Sequence, residues 1–584
     1  MNNGTAWFDD LAMTRVKSGL PTPQPPAVKV ETPAGAEGCL QVTWDPKTLT
    51  AGAMRVLVYC EEKPLAAAAM PVVMADSAAG KATIWSLETG KSYRVATALV
   101  NGDSEVSARG AAVTAKVLDR QAPRPGWLTA ERFGKTVHCM WQPHLLDVDV
   151  ASVELLALGA DGGAPKVLKK LAVVGGFFSP RGCAAQLPLP EGQKLGARAT
   201  DAVGNVGEIG WIDIAAEKPA TALTDVDMWV VPATENVARS AEKPVTQAPI
   251  EPLLMRGQGK GLQLVIRPQR DLHEVEVSVR PSQGKPNGVS GAASFVNYVH
   301  LDANSIATPK EELVWPAPGE YPDEISADPV RDLPAGQAQP VYVELKADAK
   351  ALPGKGGMEI VVRSREGTAT TAVRYEVSPV ALPSRLRLPF VYWFTWGAPC
   401  KEFGVEERTA DGWRVLGEIG KQMVAHGERC VVVPWSMVRV WQDAEGKYSY
   451  DFRDFDHFLK TFQAVGVDQL FCLSHVGGRT TGEWECPTMS PNMHQVNALA
   501  TGDIAARLDA VDLLPALQAH IEKLGLIDKF RLHIADEPIA ANLESYKQLS
   551  ARAHAAAPKL KRIDAEHVPD LQGYLEDWVP QINY

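Results

Sequence analysis

The chain has 584 residues, 45% of them hydrophobic and 22% charged, a length that divides at about 150 residues per domain into roughly four folded units. No run of about 18 apolar residues occurs, which excludes a membrane-spanning helix. Seventy acidic residues against 59 basic ones, a formal net charge of −11, and the lack of any Lys/Arg cluster to neutralise phosphates argue against a nucleic-acid partner.

Residues 1–26 read as a flexible lead. Met1 to Leu20 carries Trp7, Asp9 and Asp10 where an export signal needs an apolar centre, and Pro21-Thr-Pro-Gln-Pro-Pro26 has little capacity to fold. From 27 to 118, short runs of β-formers such as Leu40 to Trp44 and Val56 to Tyr59 alternate with Gly, Pro and Asp, the pattern of an all-β sandwich. Residues 119–216 repeat the plan around Trp141. Eight cysteines are too few for a disulfide scaffold in so long a chain, and none stands at C-x-x-C spacing. Cys39 with Cys60, or Cys139 with Cys183, are the pairs that could bridge within a β domain.

The stretch 217–385 is again β-rich, with strands expected at Leu262 to Arg267, Val275 to Val279, Val341 to Leu345 and Glu359 to Arg363. The glycines of Gly257-Gln-Gly-Lys-Gly261 precede a strand rather than a helix N-terminus, so they predict a turn and not a phosphate loop.

At about residue 386 the pattern changes to strands alternating with helices. Strands are expected at Val391 to Trp396, Cys430 to Trp435, Leu470 to His475, Phe530 to Ala535, Arg562 to Glu566 and Trp578 to Asn583. Helices are expected at Gly412 to His426, Phe452 to Val465, Val511 to Leu524 and Leu543 to Ala556. Repeated strand-helix units without a Gly-rich first turn predict a parallel (β/α) barrel. Six strands in about 200 residues fall short of the eight of a closed barrel, so the barrel over 386–584 is expected to be incomplete at its C-terminus. The fold class is thus multidomain, with three β-sandwiches followed by an α/β barrel.

A barrel places its chemistry at the C-terminal ends of its strands. Those ends hold Trp393, Trp396, Trp435, His475, Arg479, Trp484, His533, Glu566, Asn583 and Tyr584, aromatic faces and planar polar groups suited to a pyranose ring. The sharpest signal is Arg531-Leu-His533-Ile-Ala-Asp536-Glu537-Pro538, an apolar strand ending in adjacent carboxylates. Asp323-Glu324 repeats the dipeptide, where a solvated loop is expected. Adjacent strand residues face opposite ways, so Asp536 and Glu537 can serve one ligand only where the pleat has ended. Pro538 is expected to end it by holding Glu537 in the β or polyproline region. Asp564, Glu566 and His567 resemble a loose metal-ligand set, but all come from one strand end without a second cluster, which does not predict a metal site.

The fragment His533-Ile-Ala-Asp-Glu-Pro538, the preceding Leu517 to Gly525, Tyr546 in the following helix, and Tyr450-Asp-Phe-Arg-Asp-Phe-Asp456 resemble glycoside hydrolase family 123. Leu262-Gln-Leu-Val-Ile266 is similar to that family's N-terminal sandwich, and the resemblance spans about 221–584. Outside it, Leu87-Glu-Thr-Gly-Lys-Ser-Tyr93 resembles the tyrosine corner of fibronectin type III modules, whose phenolic hydroxyl bonds back to the turn before its strand. Trp44 stands where such modules keep a core tryptophan, and Asp201 to Gly207 resembles their late hairpin.

The resemblance implies a β-N-acetylgalactosaminidase-like enzyme working by substrate assistance, with Asp536 orienting the 2-acetamido group and Glu537 as acid/base. No cofactor or metal is implied; the expected partner is a glycan. Two alternatives stay open: a glycan-binding or cell-surface protein without turnover, and a hydrolase of another sugar pairing Glu537 with Glu566. Accessory β modules on a glycan-degrading barrel predict an extracytoplasmic setting, although the chain shows no export signal.

Overall fold

The computed structural model describes residues 19–580 apart from 66–68, 134, 160–161, 174–181, 215–220, 247, 283–286, 307, 327, 384, 386–387, 392, 444 and 499–502. Its first part is a pair of antiparallel sheets. Lys29–Glu31, Leu40–Thr43 and Lys81–Ile84 form one, and Val73–Asp76, Ala53–Glu61, Ser92–Asn101 and Val113–Lys116 the other. Trp44 is buried between them with Leu40, Val58 and Val95, its indole N–H donating to the Ser77 carbonyl at 2.8 Å. The Glu88 N–H donates to the Tyr93 hydroxyl at 3.1 Å, which is the corner bond that the Leu87 to Tyr93 segment predicts.

A second pair of sheets has the same three-plus-four composition. Trp127–Phe133, Thr136–Gln142 and Cys183–Pro188 face Lys166–Ala172, Val150–Leu158, Lys194–Asp201 and Gly210–Ile212. Along Thr136–Gln142 the inward residues are Val137, Cys139 and Trp141 while His138 and Met140 face out, the two-residue period of a half-buried strand. Cys183 lies opposite Trp141 and Ala185 opposite Cys139, and all eight cysteines are free thiols. The two candidate disulfides are therefore not formed.

Two five-stranded sheets follow, packed around Leu264, Ile266, Phe295, Val343, Ile360 and Val362. All four strands expected here are present within Gly259–Pro268, Leu272–Pro281, Gln339–Ala347 and Gly354–Arg363. Gly257 turns with φ +82° and the strand begins at Gly259, so no helix N-terminus faces these glycines. Asp323 and Glu324 lie in the exposed strand Gly319–Ile325 rather than in a loop.

The last unit is built on a five-stranded parallel sheet of β1 (Cys430–Val433), β2 (Leu470–Leu473), β3 (Phe530–His533), β4 (Lys561–Glu566) and β5 (Asp577–Pro580), side by side in that order. The helices are α1 (Gly397–Glu402), α2 (Ala410–Ala425), α3 (Arg453–Val465), α4 (Ala510–Lys523) and α5 (Leu543–Ala556). Val431, Val433, Phe471, Leu473, Phe530 and Leu532 share one core with these helices. Phe455, Phe458 and Phe462 recur on one side of α3 and are fully buried there, each contributing about 1.5–3 kcal/mol by burial. The other face of the sheet, Cys430, Val432, Leu470 and Cys472, is also buried. Burial on both faces explains why these strands read as unbroken apolar runs.

The first of the six expected strands, Val391 to Trp396, is not formed among the described residues, and β1 is the edge of the sheet. Val391 instead packs on Cys430, Val432, Leu470 and Cys472, the face that a closed barrel would turn inward, while Phe394 and Trp396 turn to the helix side against Phe462 and Trp413. Three more features carried no sequence signal: α1, a hairpin of Gly477–Arg479 with Met489–Pro491, and a four-stranded sheet that includes Arg439–Gln442 and Met493–Ala498. The first β-sandwich packs against α2 and its surroundings, with the Trp413 indole N–H donating to Ser86 Oγ at 3.0 Å and Arg439 donating to the Val72 carbonyl at 2.8 Å.

Candidate active site

All five strands run the same way, so their C-terminal ends lie along one edge, which receives Trp435 after β1, His475 after β2, Asp536 and Glu537 after β3, and His567 after β4. Past His533 the chain continues through buried Ile534 and Ala535. It then leaves the strand abruptly: Asp536 has φ +69° and Glu537 φ +48°. Two consecutive left-handed non-glycine residues cost on the order of 1–3 kcal/mol each and persist only where their surroundings force them. Glu537 is thus not in the β or polyproline region that the following Pro538 predicts. The loss of pleat is nonetheless real, and it removes the alternation that would aim the two carboxylates apart.

The forcing contacts come from β4 and from the hairpin after β2. Asp564, fully buried on β4, accepts the Ala535 N–H at 2.8 Å and the Asp536 N–H at 3.1 Å. The Glu537 N–H donates to the Ala565 carbonyl at 3.1 Å. From the opposite side the Arg479 guanidinium donates to the Asp536 carbonyl at 3.3 Å and the Glu537 carbonyl at 2.8 Å. The Tyr546 hydroxyl of α5 and the Ala565 N–H complete the donors to Asp564, at 2.9 and 3.1 Å. Burial pushes the Asp564 carboxyl up to about 7, against the pull of those hydrogen bonds.

Asp536 is 51% exposed and its Oδ1 lies 3.9 Å from His475 Nε2; Glu537 is 39% exposed and its Oε1 lies 3.3 Å from His567 Nε2. On the Asp536 side, Trp393 stacks on His475 with ring centres 4.9 Å apart and meets His533 at 5.0 Å. On the Glu537 side, Trp484 meets His567 edge-on at 5.5 Å and lies 4.3 Å from the Arg479 guanidinium. In contact order the site is a row of Trp393, His475, Asp536, Glu537, His567 and Trp484. The two end tryptophans are 49% and 46% exposed, which leaves aromatic surface for a ligand.

Burial holds the His475 imidazole toward its neutral form, although Asp536 favours the proton. His533 is deeper and is depressed by burial to about 4, with Nδ1 3.1 Å from the Leu473 carbonyl. That carbonyl only accepts, so Nδ1 carries the ring's hydrogen.

Not every sequence candidate is in this row. Trp396 is buried in the helix-side core against Trp413, donating to the Gly412 carbonyl at 3.1 Å. Trp435 acts on the site through backbone, donating to the His475 carbonyl at 2.7 Å. Glu566 is buried and accepts the Val579 N–H at 3.1 Å; burial raises its pKa. Asn583 and Tyr584 lie outside the described residues.

The set Asp564, Glu566 and His567 does not converge, since Asp564 turns to Tyr546 and His567 to Glu537. His475, Asp536 and Asp564 do offer ligand atoms within 4.8 Å of one another, but the Asp564 oxygens already accept from four donors. Asp564 and Tyr546 were named in the sequence, one in a loose metal-ligand set and the other in the family resemblance, but neither for its part in holding this turn. Their signal was a buried-strand aspartate and an apolar-face tyrosine, each ordinary until the fold joins them.

Residues 401–583 match the family model described as glycoside hydrolase 123, catalytic domain. The C-terminal unit is a glycoside hydrolase domain. Among solved structures, a family 123 glycoside hydrolase from Clostridium perfringens, studied for glycolipid glycan hydrolysis, is 13% identical at a TM-score of 0.49, covering 62% of this chain and 67% of its own. The chicken interferon gamma receptor alpha chain is 13% identical with a TM-score of 0.23, covering 33% of this chain and 100% of its own. Domains FN1–FN3 of chicken CNTN1 are 9% identical with a TM-score of 0.19, covering 60% and 99%. No curated protein matches this chain. The hydrolase domain contains the whole row from His475 to His567, while Trp393 enters from the segment before it.

Proposed function

We propose that this chain hydrolyses terminal β-linked N-acetylhexosaminides, galacto-configured by preference, with retention and with the substrate's own acetamido group as nucleophile. The observation that carries this reading is the left-handed Asp536-Glu537 turn, two adjacent exposed carboxylates at the C-terminal edge of a parallel sheet between two exposed tryptophans.

Asp536 accepts the acetamido N–H and turns the carbonyl oxygen onto the anomeric carbon. As that oxygen bonds to the carbon, the glycosidic bond breaks and Glu537 gives its proton to the leaving oxygen. The resulting oxazoline is opened by a water whose proton returns to Glu537. This scheme needs no protein nucleophile, consistent with Glu566 being buried and engaged by Val579. His475 and His567 flank the two carboxylates, and the exposed indoles offer stacking surface to the apolar faces of a sugar. The same reading takes 27–118 and 119–216 as fibronectin III-like modules, 217–385 as an accessory sandwich and 386–584 as the catalytic unit, in an extracytoplasmic enzyme.

The test is release of p-nitrophenol from the β-N-acetylgalactosaminide, beside the β-N-acetylglucosaminide and the plain β-galactoside, by wild type, Glu537→Gln and Asp536→Asn. Turnover confined to acetamido sugars and lost in both variants is expected. Cleavage of the plain galactoside at a comparable rate would overturn substrate assistance.

A further inference from the structure

We infer that Arg479 and Asp564 are positioning residues that clamp the Asp536-Glu537 turn from its two sides, Asp564 through backbone N–H and Arg479 through backbone C=O, so that both carboxylates address one ligand. The inference rests on the proposed function for its kinetic consequence, but not for its structural one.

Four backbone groups belong to the two strained residues, and all four are held. The N–H groups of Asp536 and Glu537 go to the Asp564 carboxylate and the Ala565 carbonyl, both on β4. The two carbonyls go to one guanidinium. The planar fork of arginine suits this task, since two of its N–H groups can reach neighbouring acceptors at once, which a lysine ammonium does less well.

The alternative use of Arg479 would be to neutralise the exposed carboxylates beside it; its hydrogen bonds instead go to their carbonyls and, through Nε at 3.0 Å, to the Trp484 carbonyl. Both carboxylates stay available to a ligand. The guanidinium reaches this place because its hairpin is laid against the end of β3. The Val476 N–H donates to the His533 carbonyl at 3.0 Å and the Gly477 N–H to the Ile534 carbonyl at 2.8 Å. A Cβ on Gly477 would stand 2.4 Å from the Ser490 carbonyl oxygen and 2.5 Å from Leu549, so only glycine permits that approach.

Asp564 is a costly way to bind a loop, because a buried carboxylate must be fully hydrogen-bonded to be tolerated. Tyr546, itself fully buried, supplies the side-chain donor that makes it so. The carboxylate offers enough lone pairs to hold two successive N–H groups at the strand end while still accepting from Tyr546.

The experiment is Arg479→Ala in the full chain, read by kinetics and by a crystal structure. With the p-nitrophenyl acetamido glycoside, kcat should fall about 100-fold, the scale of an ångström-sized misplacement of reacting groups, while KM moves less than about threefold. Added guanidinium should restore kcat in the alanine variant, which it would not do for a merely unfolded hairpin. The crystal structure should show Glu537 relaxed to negative φ. Arg479→Lys, which keeps the charge and the fold, should remain impaired.

A positive φ at Glu537 in the alanine variant, or an unchanged kcat, overturns the clamp. Should wild type show no acetamido-glycosidase activity while the variant's turn still relaxes, the clamp stands and the hydrolytic reading falls.

Discussion

Tyr546→Phe isolates one hydrogen bond without disturbing the core around it. The ring is fully buried and its hydroxyl donates to Asp564 Oδ2 at 2.9 Å, so the variant removes a donor to a buried carboxylate and leaves the packing in place. A hydrogen bond to a charged group contributes about 1.5–3 kcal/mol, here taken as about 2 kcal/mol. For a unit of about 200 residues each kcal/mol shifts Tm by about 2–4 °C, so the hydrolase transition should fall by about 4–8 °C.

The effect has a direction with pH. Burial raises the Asp564 pKa to about 7, so its contribution to stability is full below the ordinary carboxylate range and is lost as pH climbs through about 7. The phenol offsets that loss by favouring the ionised form. Its removal raises the Asp564 pKa further, and the deficit of Tyr546→Phe should therefore be larger at pH 8 than at pH 5. Differential scanning calorimetry of the full chain at both values reads this. A shift below about 1 °C at pH 8, or an equal deficit at both, would refute the reasoning.

Two further predictions concern other parts of the molecule. Trp484, exposed beside the Arg479 guanidinium and next to His567 on the Glu537 side, should stack on the leaving sugar; Trp484→Ala is expected to lower kcat/KM on a β-linked disaccharide about tenfold, the scale of one aromatic stacking contact, and to leave the methyl β-glycoside unchanged, as followed by product chromatography. Asp119 is raised to about 6, by burial first and then by Glu37, Asp149 and Asp201, so its stabilising contribution is lost as pH rises toward 6. Asp119→Asn should therefore raise Tm at pH 7 by the equivalent of about 0.5–1 kcal/mol after solvent screening, and give no gain at pH 4.

The hydrolase sheet was legible because its strands are buried on both faces and its helices carry one apolar stripe. Cys430 to Val433, Leu470 to Leu473 and Leu543 to Ala556 stand out as patterns that need no tertiary knowledge. The candidate pair was legible as well, since an apolar strand that ends in Asp536-Glu537-Pro538 presents carboxylates where such sheets place their chemistry.

The segment from Val391 to Trp396 misled because aromatic and β-branched residues serve a strand and a surface cover equally well. Its neighbours decide between them: the face of Cys430, Val432, Leu470 and Cys472 is covered by Val391, and His475 by the Trp393 ring. Pro538 misled for a related reason. The local preference of a residue before proline is a modest energy, and it is outweighed by the two hydrogen bonds that hold Glu537, to the Ala565 carbonyl and from Arg479, together with the two that hold Asp536.

Sequence by itself determined which runs become strands and helices, and which strand ends in two carboxylates, because periodicity, apolarity and adjacency are properties of neighbouring residues. Only the tertiary structure decided how that pair is held and what stands beside it. Arg479 lies 57 residues from Asp536 and Asp564 lies 28 residues from it. Hydrogen bonds over such separations exist only once the parallel sheet has brought the ends of β2, β3 and β4 to one edge, and no local preference records them.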